Sequence, residues 1–227
     1  MEICSRPHNS TGAARHSRAG STLFSLLFAV VVLAAATSPH ALFAQLPSIK
    51  VLDNSALHPP AGARVAIVEF DDMECPTCAH YNPLLRQAAE HYKIPLIRHD
   101  FIIPFHNWSR RAAIDARWFD TRSKSLGDEF RDAVFADQDN IYNQGVLNQF
   151  ALKFAQDHGI AMPFAVDPMG KFDAAVSADS DLGKRTGVDA TPTIFIVTSG
   201  GSYKQVLDPD RELYRDIDQA LATTRGR

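Results

Sequence analysis

A chain of 227 residues with a formal charge of −3 and 45% hydrophobic content can bury an ordinary core without covalent staples. It carries no basic stripe of the kind that tracks a phosphate backbone, which argues against nucleic acid as a partner. Its three cysteines are too few, in too long a chain, for a disulfide-stapled scaffold.

Residues 1–22 hold Arg6, Arg15 and Arg18 against one acid, Glu2. The 14 uncharged residues Leu23 to Ala36 follow, then Pro39 and the exit Ala41-Leu42-Phe43-Ala44. A basic start, a short apolar core and a small-residue exit predict a signal peptide over residues 1–44, cleaved after Ala44. An uncleaved anchor is the competing reading, but a crossing helix needs about 20 apolar residues. Removal would change the charge from −3 to −5 and take Cys4 with it. The mature chain would keep one cysteine pair, Cys75 and Cys78, in an exported, oxidising setting such as a periplasm.

Residues 45–63, with Pro59-Pro60, read as a lead-in with room for one edge strand. Arg64 to Phe70 is almost wholly apolar and predicts a strand buried on both faces. Cys78 to His91 predicts a helix kinked at Pro83, and Pro95 to Phe101 a second strand. Strand, helix and strand in that order imply parallel pairing through a right-handed crossover. Residues 106–186 change character. The segment 109–119 and three apolar faces (Leu126, Phe130, Ala133 and Val134; Val146, Leu147, Phe150, Ala151 and Phe154; Phe172, Ala175 and Val176) predict about four helices and no strand. Thr193 to Val197 and Tyr203 to Leu207, joined by Ser199-Gly200-Gly201-Ser202, predict a hairpin. Asp208-Pro209 opens a last helix, Asp as N-cap and Pro first. The class is α/β, with a core over 64–105 and 187–224 and a helical insertion over 106–186.

The stretch Cys75-Pro76-Thr77-Cys78 falls where the first strand meets the first helix. Pro76 at the first helical position leaves the amides near Thr77 and Cys78 aimed at the Cys75 sulfur, which favours its thiolate. Cys78, one turn on, is at disulfide range. Three readings are open. The pair could exchange disulfides. It could be half of a metal site, with His80 nearby for zinc or Met73 as a soft ligand for copper. It could be an inert disulfide, although so short a loop restrains little chain entropy. Glu69, six residues before Cys75, is the one acid inside an apolar strand. It is either a buried carboxyl that relays a proton to Cys78 or an ordinary acid on a wet face. Thr191-Pro192 before the second half of the sheet is either a boundary marker or a cis-proline that offers the Thr191 backbone to an extended peptide. A binding module that uses this groove without turnover is a further possibility.

Val68-Glu69-Phe70, then Cys75-Pro76-Thr77-Cys78, then Val188 through Thr191-Pro192-Thr193-Ile194-Phe195, resembles the thioredoxin superfamily. The helical insertion, His99-Asp100-Phe101 and the segment from His106 to Phe119 resemble its DsbA-like branch of exported thiol-disulfide oxidoreductases. The resemblance implies a thioredoxin fold with a helical insertion between the second core strand and the cis-Pro hairpin. It implies Cys75 as nucleophile, Cys78 as resolving cysteine, Glu69 as buried acid, Pro76 and Thr77 as tuning residues, and Thr191 and Pro192 as substrate-binding. The expected activity is exchange of the Cys75–Cys78 disulfide with cysteine-containing exported proteins, with oxidation the expected direction and reduction or isomerisation the alternatives. No cofactor beyond that disulfide and no metal is implied; a monomer served by a membrane redox partner is. Thr77 stands where strongly oxidising members carry His, and Glu74 where many carry an aromatic. Both departures lead one to expect a less oxidising disulfide. Cys78 argues against the glutathione-linked isomerases, which generally lack a second cysteine.

Overall fold

The computed structural model describes residues 49–225; the expected signal peptide lies outside them. Strand β1 (Val65–Asp71) is buried along its whole length and forms the second strand of a four-stranded sheet. Beside it, β2 (Leu96–Asp100) runs parallel, with Glu69 opposite Arg98 and Asp71 opposite Asp100. On its other side lies β3 (Thr193–Thr198), antiparallel, and β3 pairs antiparallel with β4 (Tyr203–Val206). The parallel pair is joined by α1 (Pro76–Tyr92), which runs on through Pro83 and ends at Lys93 in a left-handed conformation.

Side chains alternate across β1, so its two faces meet different partners. Ala66, Val68 and Phe70 pack with Phe101, Leu182, Val188 and Phe195. Val65 and Ile67 pack with Leu85 and Ala88 of α1 and with Leu213 and Ile217 of α6 (Pro209–Thr223). Glu69 and Asp71 fall on this second face. Their carboxyls are therefore forced into the layer beneath α1.

Between β2 and β3 come α2 (Ser109–Asp120), α3 (Lys124–Ala136), a 3-10 turn at Gln138–Asn140, α4 (Gln144–Asp157) and α5 (Lys171–Thr186). Ser123 and Asn143 cap α3 and α4 by accepting hydrogen bonds from Leu126 and Val146. The expected faces of these helices close on a shared core that includes Phe119, Phe130, Leu147 and Val176, and this core also takes in Met73, Cys75 and Cys78. The helical segment thus walls one side of the cysteine pair. It is tied to the sheet by Arg117, which donates to Asp100 at 2.7 Å and to Asp179 at 2.6 Å.

Two local expectations differ from the structure. No strand forms over residues 49–63. There the Leu52 amide donates to the last carbonyl of α5, Thr186, at 3.1 Å, and the Ile49 amide to the Gln205 side chain at 2.8 Å. With Pro59-Pro60 in the segment, its backbone bonds go to isolated acceptors rather than to a ladder. At α6, Pro209 takes the first helical position, but the Asp208 side chain makes no cap bond. Glu212 reaches back instead and accepts from the Leu207 and Asp208 amides at 3.1 and 3.4 Å.

Candidate active site

Cys75 is the N-cap of α1, in an extended backbone conformation, with Pro76 at the first helical position. Its carbonyl accepts the first helical bond from Ala79 at 3.1 Å, and its amide donates to Asp72 at 2.9 Å. The sulfur is therefore held over the open end of the helix, where amides have no intrahelical acceptor. Its pKa is lowered from 9.0 to about 5, first by the hydrogen bond with the Cys78 thiol, against the opposing effect of burial. The Thr191 side chain and the Cys78 and Thr77 amides add to this. What reaches the sulfur from exposed Thr77 is thus its backbone N–H. Cys78 is fully buried. Its thiol is pushed well above the ordinary range, first by burial, then by the bond with Cys75 and by the charges of Glu69, Cys75 and Asp71. One helix turn thus carries two thiols of opposite character.

The Thr191–Pro192 bond is cis. When protonated, the Cys75 thiol donates to the Thr191 carbonyl at 3.4 Å. The structure brings Cys75, Cys78, Thr191 and Pro192 to one place from both halves of the chain.

Glu69 is 1% exposed, so its strand face is dry. Its carboxyl is raised from 4.5 to about 7, first by burial, with the Arg98 guanidinium opposing and the charges of Cys75 and Asp132 adding. Arg98 Nε lies 3.8 Å from Glu69 and 4.0 Å from Asp71. Its outer edge donates to Asn82 of α1 and, at 2.9 Å, to Asp132 of α3. Asp71 is also buried, and its carboxyl too is raised well above the usual range by burial and by Glu69.

Sequence reasoning missed several groups that shape the site. Gln138 donates to the Met73 and Cys75 carbonyls at 2.8 and 3.1 Å and braces the turn from the 3-10 segment. Asp72 accepts from the Glu74 and Ile103 amides, both at 2.8 Å. Glu74 does not oppose the thiolate in the way a free charge would. Its carboxylate accepts from the Trp108 and Ser109 amides at 2.7 and 3.0 Å, so its charge is held by the N-terminus of α2. Asp71 and Arg98 had a sequence signal, charges in apolar strands, but their pairing needs the strand register. Of the metal candidates, Met73 is buried beside the cysteines and His80 is exposed against Tyr81. Among the described residues no group of three or more His, Cys, Asp and Glu side chains is arranged to hold a metal.

Comparison with known proteins supports the fold. No curated protein matches the chain. Among solved structures, Pseudomonas aeruginosa DsbA2 is similar at a TM-score of 0.55 and 21% identity, over 80% of this chain and 99% of that one. Oxidised BdbD from Bacillus subtilis gives 0.60 and 18%, over 78% and 96% of the two chains. Proteus mirabilis ScsC, in a transitional conformation, gives 0.56 and 18%, over 76% of each. At these identities the likeness is one of fold. A family model described as Thioredoxin matches residues 60–205, well over half of the sequence and all of the site. The chain belongs to the thioredoxin family and has the DsbA-like form of its fold.

Proposed function

We propose that this protein is an exported thiol-disulfide oxidoreductase that oxidises cysteine-containing proteins through a mixed disulfide on Cys75. One observation carries the reading: a single helix N-terminus holds one thiol at a pKa of about 5 and a neighbour far above the ordinary range. A substrate thiolate attacks the Cys75 sulfur of the Cys75–Cys78 disulfide, and Cys78 leaves and takes up a proton. A second substrate thiolate then attacks the substrate sulfur of the mixed disulfide and releases Cys75 as a stable thiolate. The Thr191 carbonyl beside Cys75 offers an extended substrate a main-chain acceptor. No cofactor other than the disulfide enters this cycle.

Oxidation is the favoured direction because a stabilised thiolate stabilises the reduced form. Each pH unit between the pKa and ambient pH is worth up to about 1.4 kcal/mol, or roughly 30 mV for a two-electron couple. Thr77 and Glu74 alone led one to expect weaker oxidising power. That deduction is offset by the hydrogen bond from Cys78 and by the capture of the Glu74 charge at α2. Export rests on the signal-like residues 1–44, and the setting it implies supplies both the thiol substrates and a need for reoxidation by a membrane partner. A monomer suffices for the cycle. The test is a Cys78→Ala variant in the exporting cell. It should accumulate covalent adducts with exported proteins through Cys75, released by reductant and absent in Cys75→Ala. Equal absence from both variants would refute the exchange cycle.

A further inference from the structure

Glu69 and Asp71 stand two residues apart on one face of β1, 1% and 2% exposed. Beneath them is one guanidinium, Arg98, whose side chain is 4% exposed and whose Nε lies 3.8 and 4.0 Å from the two carboxyls. These separations are too long for hydrogen bonds. Glu69 Oε2, Asp71 Oδ2, and Arg98 Nε and Nη1 are all buried without a hydrogen-bond partner. Four unpaired polar atoms from three ionisable groups facing one another are costly unless a proton or water joins them.

The other charges around this centre are already committed. From β2, Asp100 is bound by Arg117 at 2.7 Å. From α3, Arg131 is held by both Asp120 oxygens at 3.1 and 2.9 Å. Asp132 takes Arg98 at 2.9 Å and half-exposed Arg86 of α1 at 3.1 Å. From α1, the Cys75 and Cys78 thiols face the centre, and Asn82 accepts from Arg98. Two buried carboxyls therefore face one guanidinium, whose outer edge is already taken by Asp132 and Asn82, while Arg131 acts on Asp71 only from beyond hydrogen-bond range. One excess negative charge would be left in a dry layer.

We infer that Asp71 and Glu69 jointly hold one proton around Arg98, and that this shared proton is the one delivered to Cys78 when it leaves the disulfide. Asp71 is a positioning residue in this scheme, acting through Glu69. The inference rests on the proposed exchange reaction. The step balances. The substrate thiolate forms a bond to the Cys75 sulfur, the Cys75–Cys78 bond breaks, and its electron pair goes to Cys78. The substrate sulfur is oxidised to the mixed disulfide, Cys78 is reduced, and the proton passes from the carboxyl pair to its sulfur. The pair is left with both carboxyls ionised, and is reprotonated from solvent. Burial alone already holds each carboxyl up, and a single acid opposite Arg98 would form a neutral ion pair and give up its proton at a lower pH than the two together. The second acid adds to the effect of burial, because ionising both beside one guanidinium is costly.

The experiment uses the full mature chain in its disulfide form, with Asp71→Asn and Glu69→Gln beside the unsubstituted protein. Two signals are followed against pH: the infrared carbonyl band of protonated carboxyl groups, and the rate of reduction by glutathione. The unsubstituted protein should show a band that titrates near pH 7. Asp71→Asn should shift it to lower pH and weaken it at neutrality, because Glu69 then has the inner face of Arg98 to itself. Its reduction by glutathione at pH 7 should slow by about ten-fold or more and lose its inflection near neutrality. Glu69→Gln should lose the same band. An Asp71→Asn protein with an unchanged band and profile would overturn the shared proton. Should that variant not fold, Glu69→Gln decides alone: a neutral-pH band that survives there belongs to a single independent acid and also overturns it. Failure of the unsubstituted protein to exchange with glutathione at any pH would instead refute the oxidoreductase reading, while the band would still decide the sharing.

Discussion

At the scale of the residue, Cys75 owes its character to where its sulfur sits rather than to a charged neighbour. No cation is among the groups that lower its pKa; they are the Cys78 thiol, the Thr191 side chain and two amides. This has a consequence for stability. With a folded pKa of about 5 against 9.0 for an ordinary cysteine, the reduced folded form binds fewer protons than the reduced unfolded chain between those values. Stability therefore rises with pH across that window and is lost as pH falls through about 5. The disulfide form has no such dependence. The difference in unfolding free energy between reduced and oxidised protein should move in favour of the reduced form by up to about 1.4 kcal/mol per pH unit, less where solvent reaches the sulfur. Denaturant unfolding of both forms at pH 5, 6, 7 and 8 checks it. A difference that is flat over that range would mean that the thiolate is not specially stabilised.

At the scale of the element, α5 matters as the backing of the sheet under the active site. Gly183 on α5 lies so close that a Cβ there would meet Phe101 carbons at 2.5 and 2.9 Å and a Phe70 carbon at 3.1 Å. Both rings are buried, and Phe70 also stacks on His99 at 5.0 Å. In an open helix, Gly→Ala would gain about 1 kcal/mol. Here overpacking, about 1–3 kcal/mol, outweighs that gain. Gly183→Ala should lower the denaturation midpoint while leaving the Cys75 titration unchanged, since α1 holds the sulfur. A raised midpoint would show that α5 can slide away from the sheet. The helical segment was legible in sequence while its joints were not. Leu126, Phe130 and Val134 repeat at helical spacing, which any local reading finds. The grip of Arg117 on Asp100 and Asp179 spans 17 and 62 residues, and no periodicity encodes it.

At the scale of the whole molecule, the site joins two distant stretches of chain, and the parts legible in advance are those that signal locally. Cys75, Pro76 and Cys78 announce themselves by spacing, Glu69 by being an acid in an apolar strand, and Thr191-Pro192 by its place before a strand. The charge layer beneath was hidden because it depends on register: Arg98 faces Glu69, and Asp100 faces Asp71, only once β1 and β2 align in parallel. Glu74 was misjudged for the same reason, since the amides that hold it lie 34 and 35 residues away. The edge strand expected within 45–63 does not form among the described residues 49–63, because an apolar or proline-bounded stretch does not reveal whether a partner strand is free to pair with it.

All of these scales meet in the ionisation of one sulfur. The direct measurement is a pH titration of the thiolate ultraviolet absorbance of the reduced protein, with the disulfide form as blank. A transition near pH 5 assigned to Cys75, with Cys78 silent until well above pH 9, is expected. A first transition close to pH 9 would contradict the assignment of Cys75 as an activated nucleophile.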